Sequence, residues 1–158
     1  AKFITTMTNI RGIEIRYLES MKGGMTSFFT PQTSNETMLV QIPGNTVEDL
    51  FVHKSQTDQL LVAKGRFVLV TLINKQYQYT PLSEEYPAVV TIPPGVLHGA
   101  INVSSEPCVV VNAVIRHREP QELDYVVRKK PFPYDLKAAE AAWSNLEVTK
   151  SRNASISE

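Results

Sequence analysis

Short apolar or alternating runs recur along the chain, over 2–7, 12–18, 25–29, 36–42, 59–62, 66–74, 76–79 and 88–92. Asn9, Gly23-Gly24, Pro31, Pro43-Gly44, Lys64-Gly65 and Asn74-Lys75 stand between them, while 33–35 and Ser83-Glu84-Glu85 read as polar loops. Strands this short, with glycine, proline and asparagine at their ends, predict an all-β sandwich or barrel. No helical period interrupts them in the first half. Residues 66–72 are apolar on both faces, which predicts a strand buried on both sides. One face would line the barrel, and the other would meet a second sheet or a second subunit.

The second half continues the pattern and then breaks it. Pro93-Pro94-Gly95 follows the run 88–92; two fixed φ angles and a glycine make this a tight turn, after which His98, Ala100 and Asn102 share one face of a new strand. Ala100 is small enough to leave space beside the imidazole. Ser104-Ser105-Glu106-Pro107 turns the chain back, and 108–118 alternates, with Val110, Asn112, Val114, Arg116 and Arg118 on one face and His117 on the other. One more short strand is expected over 123–127. Leu136, Ala139, Trp143 and Leu146 then recur at helical spacing, which predicts a C-terminal helix over 134–146. A single domain over 1–149 followed by a disordered tail over 150–158 is the expected organisation, because the tail lacks large apolar residues.

Composition narrows the class. The chain has 158 residues, 42% hydrophobic and 20% charged, which are globular values for one domain. Sixteen basic residues balance sixteen acidic ones, so no net charge draws the protein to nucleic acid or to an anionic membrane. No apolar run approaches the roughly 18 residues of a membrane span. Cys108 is the only cysteine and lies in an apolar run, so it reads as a core thiol, and no intramolecular disulfide is available. A cytoplasmic location is the corresponding expectation.

The spacing Pro93-x-Gly95-x-x-His98-x-x-x-Asn102 resembles the second sequence motif of the cupin superfamily. The stretch from Phe51 through His53 and Asp58 to Gly65 resembles the first, with Phe51 in place of its first histidine and Asp58 in place of its glutamate. The opening glycine of that motif falls at Asn45, one residue past Gly44. The resemblance implies an all-β cupin fold, a double-stranded β-helix or jelly-roll barrel, with the short helix appended. It also implies that His53, Asp58 and His98 meet at one end of the barrel interior. His53-Lys54 followed by 58–65 and then 92–99 is most similar to the branch containing the dTDP-4-dehydrorhamnose 3,5-epimerases and the dTDP-sugar 3,4-ketoisomerases.

That resemblance implies epimerase- or isomerase-like chemistry on a nucleotide-linked keto-sugar, with His53 as the base and Tyr125 returning a proton. An imidazole suits the task because it titrates near neutrality. The branch's Arg-Gly pair before the catalytic histidine is replaced by Glu48, Asp49 and Leu50, so Lys54, Arg66 and Arg116 are the substitutes expected at a pyrophosphate, beside His98 in the pocket. Asp135 lies in the region of the branch's supporting aspartate, with a poor local match. This reading needs no cofactor. The alternative is a dioxygenase-like enzyme with a divalent metal, Fe, Mn or Zn, on His53, Asp58 and His98, since two imidazoles and a carboxylate supply three donors and leave positions open. A non-catalytic cupin that binds a sugar or another small molecule is the third class, favoured by the missing arginine. A homodimer is expected from the two-faced apolar strands.

Overall fold

A computed structural model describes residues 5–8, 12–18 and 33–157. The strand expected over 25–29 lies outside them. The described strands form two antiparallel sheets. In order across the first sheet run β1 (Thr5–Thr8), β2 (Glu14–Tyr17), β9 (Ala88–Ile92), β6 (Gln56–Lys64), β11 (Cys108–Arg116) and β3 (Glu36–Ile42). The second runs β12 (Tyr125–Arg128), β5 (Leu50–His53), β10 (Leu97–Asn102), β7 (Arg66–Ile73) and β8 (Gln76–Ser83), with β4 (Thr46–Val47) also paired to β10. The sheets face each other across an apolar interior that includes Ile42, Phe67, Leu69, Ile92, Ala100 and Val110. This is the all-β jelly roll that the strand pattern and the paired motifs imply.

The turns form where local chemistry demands them. Asn74 and Lys75 both take positive φ, 51° and 63°, which gives the β7–β8 hairpin the twist that matches its strands. Gly95 takes φ 84° and lets the chain cross from β9 in one sheet to β10 in the other. Asn45 itself adopts φ 54°, so it does the conformational work of the motif's glycine, a role asparagine tolerates. Gly44 is needed beside it for a different reason: a Cβ there would meet the carbonyl oxygen of Ser105 at 2.3 Å. Asn102 then ties these loops together, donating from Nδ2 to the carbonyls of Ile42, Pro43 and Glu106 and accepting from the Ser104 backbone N–H. It is a structural clamp rather than a pocket residue.

The second apolar face of β7 is covered within the same chain. Val68 and Val70 pack with Leu50, Ile101 and Tyr134 under Ala139, Trp143 and Leu146 of α1 (Leu136–Ser157). The expectation of a second sheet or subunit on this face is corrected accordingly, and the feature that argued for a homodimer has an intramolecular explanation. Leu136, expected on the buried stripe, is 44% exposed. Asp135 caps the helix through Oδ1 to the Ala138 N–H at 3.0 Å. The helical backbone continues to Ser157, past the end expected at 146 and through the segment expected as a frayed tail, because once the first turns are docked each further residue adds a hydrogen bond.

Strand boundaries also move, β8 for instance running on to Ser83 through the start of an expected loop. β6 begins at Gln56, earlier than the apolar run at 59, because its first residues are polar side chains buried toward the interior. The strand expected at 123 starts at Tyr125 after a 3-10 turn, Glu122–Asp124, in which Asp124 accepts from the Gln121 N–H and from Arg118. Among the described residues no helix is long and apolar enough to cross a membrane.

Candidate functional site

β5 and β6 are joined by Lys54 and Ser55 alone, and this connection passes from one sheet to the other. His53 therefore ends a strand of one sheet while Asp58 points inward from the facing one. The turn at Gly95 makes the same crossing and delivers His98. Its backbone N–H donates to the carbonyl of His53 at 2.8 Å, so the two crossings are bonded to each other.

The three side chains converge. Asp58 Oδ2 stands 3.3 Å from His53 Nε2 and 3.6 Å from His98 Nε2. Its other oxygen, Oδ1, accepts from Gln56 Nε2 at 2.7 Å and Asn112 Nδ2 at 3.0 Å. Burial by itself would raise the Asp58 carboxyl. The hydrogen bonds of the two histidines, the charge of His53 and the hydrogen bond of Asn112 outweigh it and hold the carboxyl well below the usual carboxylate range. Asp58 is thus an ionised carboxylate inside the barrel. His98 Nδ1 lies 2.9 Å from the Val96 carbonyl, which can only accept, so Nδ1 carries hydrogen and Nε2 is the nitrogen turned toward Asp58.

Aromatic rings complete this wall. Phe51 is opposite His98 in the β5–β10 ladder, and their rings are 4.3 Å apart in an edge contact. The position held by a histidine in the first cupin motif is here a packing residue against the remaining histidine. Tyr125 is the cross-strand partner of His53, with ring centroids 5.5 Å apart, and it is 55% exposed.

These groups border a cavity of about 430 Å³, within the range of small-molecule sites. Ile42, Leu60, Phe67, Leu69 and Val110 form its apolar walls, and Glu48 and Asp49 contribute carboxylates. Burial pushes the Glu48 carboxyl up, against the opposing effects of the Ala100 backbone and His98. Gln56 and Asn112 escaped the sequence reading as site residues. Gln56 was visible in principle, since it is two residues from Asp58 and shares its face, and Asn112 lay on the face already assigned to Val110.

Of the residues expected at the site, His53, Asp58, His98 and Tyr125 are brought together. Lys54, Arg66 and Arg116 are not among the residues lining the cavity. Lys54 is exposed, and its backbone N–H donates to Asp124. Arg66 lies over the Trp143 ring at 5.1 Å, on the helix side of the sheet. Arg116 is held by Glu36 and by Gln56 Oε1 at 2.7 Å. Asp135, at the start of α1, has no part in the site, and Asp58 is the carboxylate that meets His53. Cys108 is buried, its thiol pushed up to about 11 by burial and by Glu84, which fits a core residue.

No family model matches the chain, and no curated protein matches it significantly. Solved structures do. A dTDP-4-dehydrorhamnose 3,5-epimerase from Sulfolobus tokodaii superposes with a TM-score of 0.62 at 19% identity, covering 82% of this chain and 86% of that one. A dTDP sugar isomerase from Desulfovibrio desulfuricans G20 gives 0.57 at 16% identity, covering 89% and 92%. A 4-keto-6-deoxy sugar epimerase from Streptomyces spheroides gives 0.61 at 13% identity, covering 75% and 71%. The chain therefore has the cupin fold of these sugar epimerase and isomerase structures, with its two histidines and Asp58 gathered inside the barrel.

Proposed function

We propose that the protein is an epimerase- or isomerase-like cupin that moves a proton at the carbon beside the carbonyl of a sugar-like substrate, with His53 as the base. The observation that carries this reading is the His53–Asp58 contact at 3.3 Å inside an apolar cavity. A carboxylate on Nε2 favours the tautomer with hydrogen there, leaves Nδ1 as the basic nitrogen and stabilises the imidazolium that forms. The step balances simply. His53 takes the proton, the C–H electron pair becomes the C=C bond of an enolate, and the carbonyl oxygen takes the negative charge. Tyr125 beside His53 supplies the proton that returns to carbon. The likeness to sugar epimerase and isomerase structures supports the same chemistry, and it makes a nucleotide-linked keto-sugar one form of substrate to test.

The test is solvent exchange. Wild-type protein in heavy water is expected to place deuterium at the carbon next to the carbonyl of keto-sugars, presented free and nucleotide-linked. His53→Ala should lower the rate by about 100-fold or more, the range of a general base. Exchange that survives this substitution unchanged would remove His53 from the role.

One observation favours a second reading. Nδ1 of His98 is turned to the Val96 carbonyl, while its Nε2 faces Oδ2 of Asp58 at 3.6 Å. A divalent cation between them would satisfy both. His53, Asp58 and His98 offer ligand atoms that all lie within 4.8 Å of one another, the donor set of a facial triad. They fit such a metal, which when bound would polarise a substrate carbonyl. The two readings differ at His53, which needs hydrogen on Nε2 in the first and a lone pair there in the second. Elemental analysis of protein purified without chelator separates them: stoichiometric Fe, Mn or Zn that is lost on His98→Ala supports the metal, and metal-free protein that catalyses exchange supports the first reading.

A further inference from the structure

The cavity that holds the acid–base groups is poor in positive charge. Three acidic residues, Glu48, Asp49 and Asp58, are among its lining residues, and among the described residues no lysine or arginine is. Of the cations expected at a pyrophosphate, none lines the cavity, and Lys54 is exposed outside it. Arg116 is bound to Glu36 and Gln56, and Arg66 stacks on Trp143 on the far face of its sheet. Lys130 lies 3.8 Å from Asp49 and 4.8 Å from the Tyr134 ring centre, so it offsets one of the carboxylates without adding a free charge to the cavity.

A diphosphate carries two or more negative charges, and giving up its hydration requires charge-assisted donors in return. Here it would meet Glu48 and Asp49, which repel it. The polar capacity of the cavity is also concentrated in one place. Gln56 and Asn112 both donate to Asp58, and His53 and His98 face the same carboxylate. Apart from Glu48, Asp49 and Tyr125, the described residues of the remaining walls are aliphatic or aromatic, so most hydroxyls of a fully oxygenated sugar would lie against them without partners.

From this charge and polarity pattern we infer that the cavity takes a small uncharged carbonyl compound with one polar end and an apolar body, of the class of hydroxy-ketones and deoxy-sugars, and excludes phosphate and nucleoside-diphosphate esters. The carbonyl in this assignment rests on the proton-transfer reading above. The exclusion of esters rests on the lining alone.

The experiment compares two probes on one sample of the full chain. A six-carbon α-hydroxy-ketone and a dTDP-sugar are titrated at low salt, with binding followed by ligand-observed NMR and deuterium uptake followed in heavy water. The hydroxy-ketone is expected to bind at least about tenfold more tightly than the dTDP-sugar. Glu48→Gln with Asp49→Asn should raise affinity for the dTDP-sugar by about tenfold, since rim and wall charges act through repulsion. Tighter binding of the dTDP-sugar by wild type, or failure of both probes to bind, overturns the inference, and so does a double variant with unchanged affinity for the dTDP-sugar. Hydroxy-ketone binding without deuterium uptake would instead overturn the proton-transfer reading while leaving the charge selectivity in place. Deuterium uptake from the dTDP-sugar alone would do the reverse.

Discussion

The backbone N–H of Gly95 donates to the carbonyl of His53 across 2.8 Å, so the turn that delivers one histidine is bonded to the strand end that carries the other. Gly95 holds φ 84°, and a Cβ there would meet nothing within 4 Å. Gly95→Ala therefore carries a conformational cost without a clash, about 1–2 kcal/mol. The expected outcome is a lower urea midpoint with an unchanged slope. Exchange activity should fall further than the stability change explains, because the turn sets His53 and His98 relative to each other. A variant as stable and as active as wild type would show that the turn is not under this constraint.

Asp58 is the shared partner of both imidazoles. Asp58→Asn keeps the volume and removes the charge, so a His53 imidazolium loses its stabilisation. Exchange is expected to drop by about 100-fold or more while the fold survives, as judged by circular dichroism and a cooperative thermal transition. Activity that persists at the wild-type level would assign Asp58 a purely structural role.

Asp124 sets the start of β12, and hence the place of Tyr125, through the Gln121 N–H and Arg118. The Gln121 hydrogen bond foremost, then Ser55 and Arg118, hold its carboxyl down at about 2. The unfolded chain has an ordinary aspartate, near about 3.9. The folded value is the lower one, so the stabilisation is complete above about pH 4 and is lost as pH falls through the folded value. Asp58 acts in the same direction. Unfolding free energies measured from pH 6 down to pH 2 should fall on the acid side, and Asp124→Asn should shallow that fall. An equally steep acid limb in the variant would contradict the assignment.

His53 and Tyr125 are cross-strand partners, so they approach a bound substrate from one sheet. Tyr125→Phe keeps the ring against Phe51 and His53 and deletes the hydroxyl. Proton removal should continue while rearranged product falls by about tenfold or more. Comparing deuterium uptake with product formed measures this directly, and equal losses of both would place Tyr125 outside proton return.

Much of this protein is decided within a few residues of chain. Pro93-Pro94-Gly95 and Asn74-Lys75 specify turns because φ is restricted there locally, and alternation specifies which face of β10 carries His98. The resemblance of the two motifs to those of the cupins implied that His53, Asp58 and His98 meet, and in the fold they do so beside the crossings between sheets. The destinations of Arg66 and Arg116 were not legible in the same way. Each long cation selected its partner from residues distant in sequence, Trp143 for one and Glu36 for the other. Likewise, an apolar outer face on β7 says only that something covers it. That α1 does so, leaving Leu136 outside, depends on how the chain returns after β12. Sequence by itself determined most strands and the turns, because these follow from backbone restriction and side-chain period. Tertiary structure alone decided the charge and polarity of the cavity, because its walls are assembled from strands that meet only through long-range pairing.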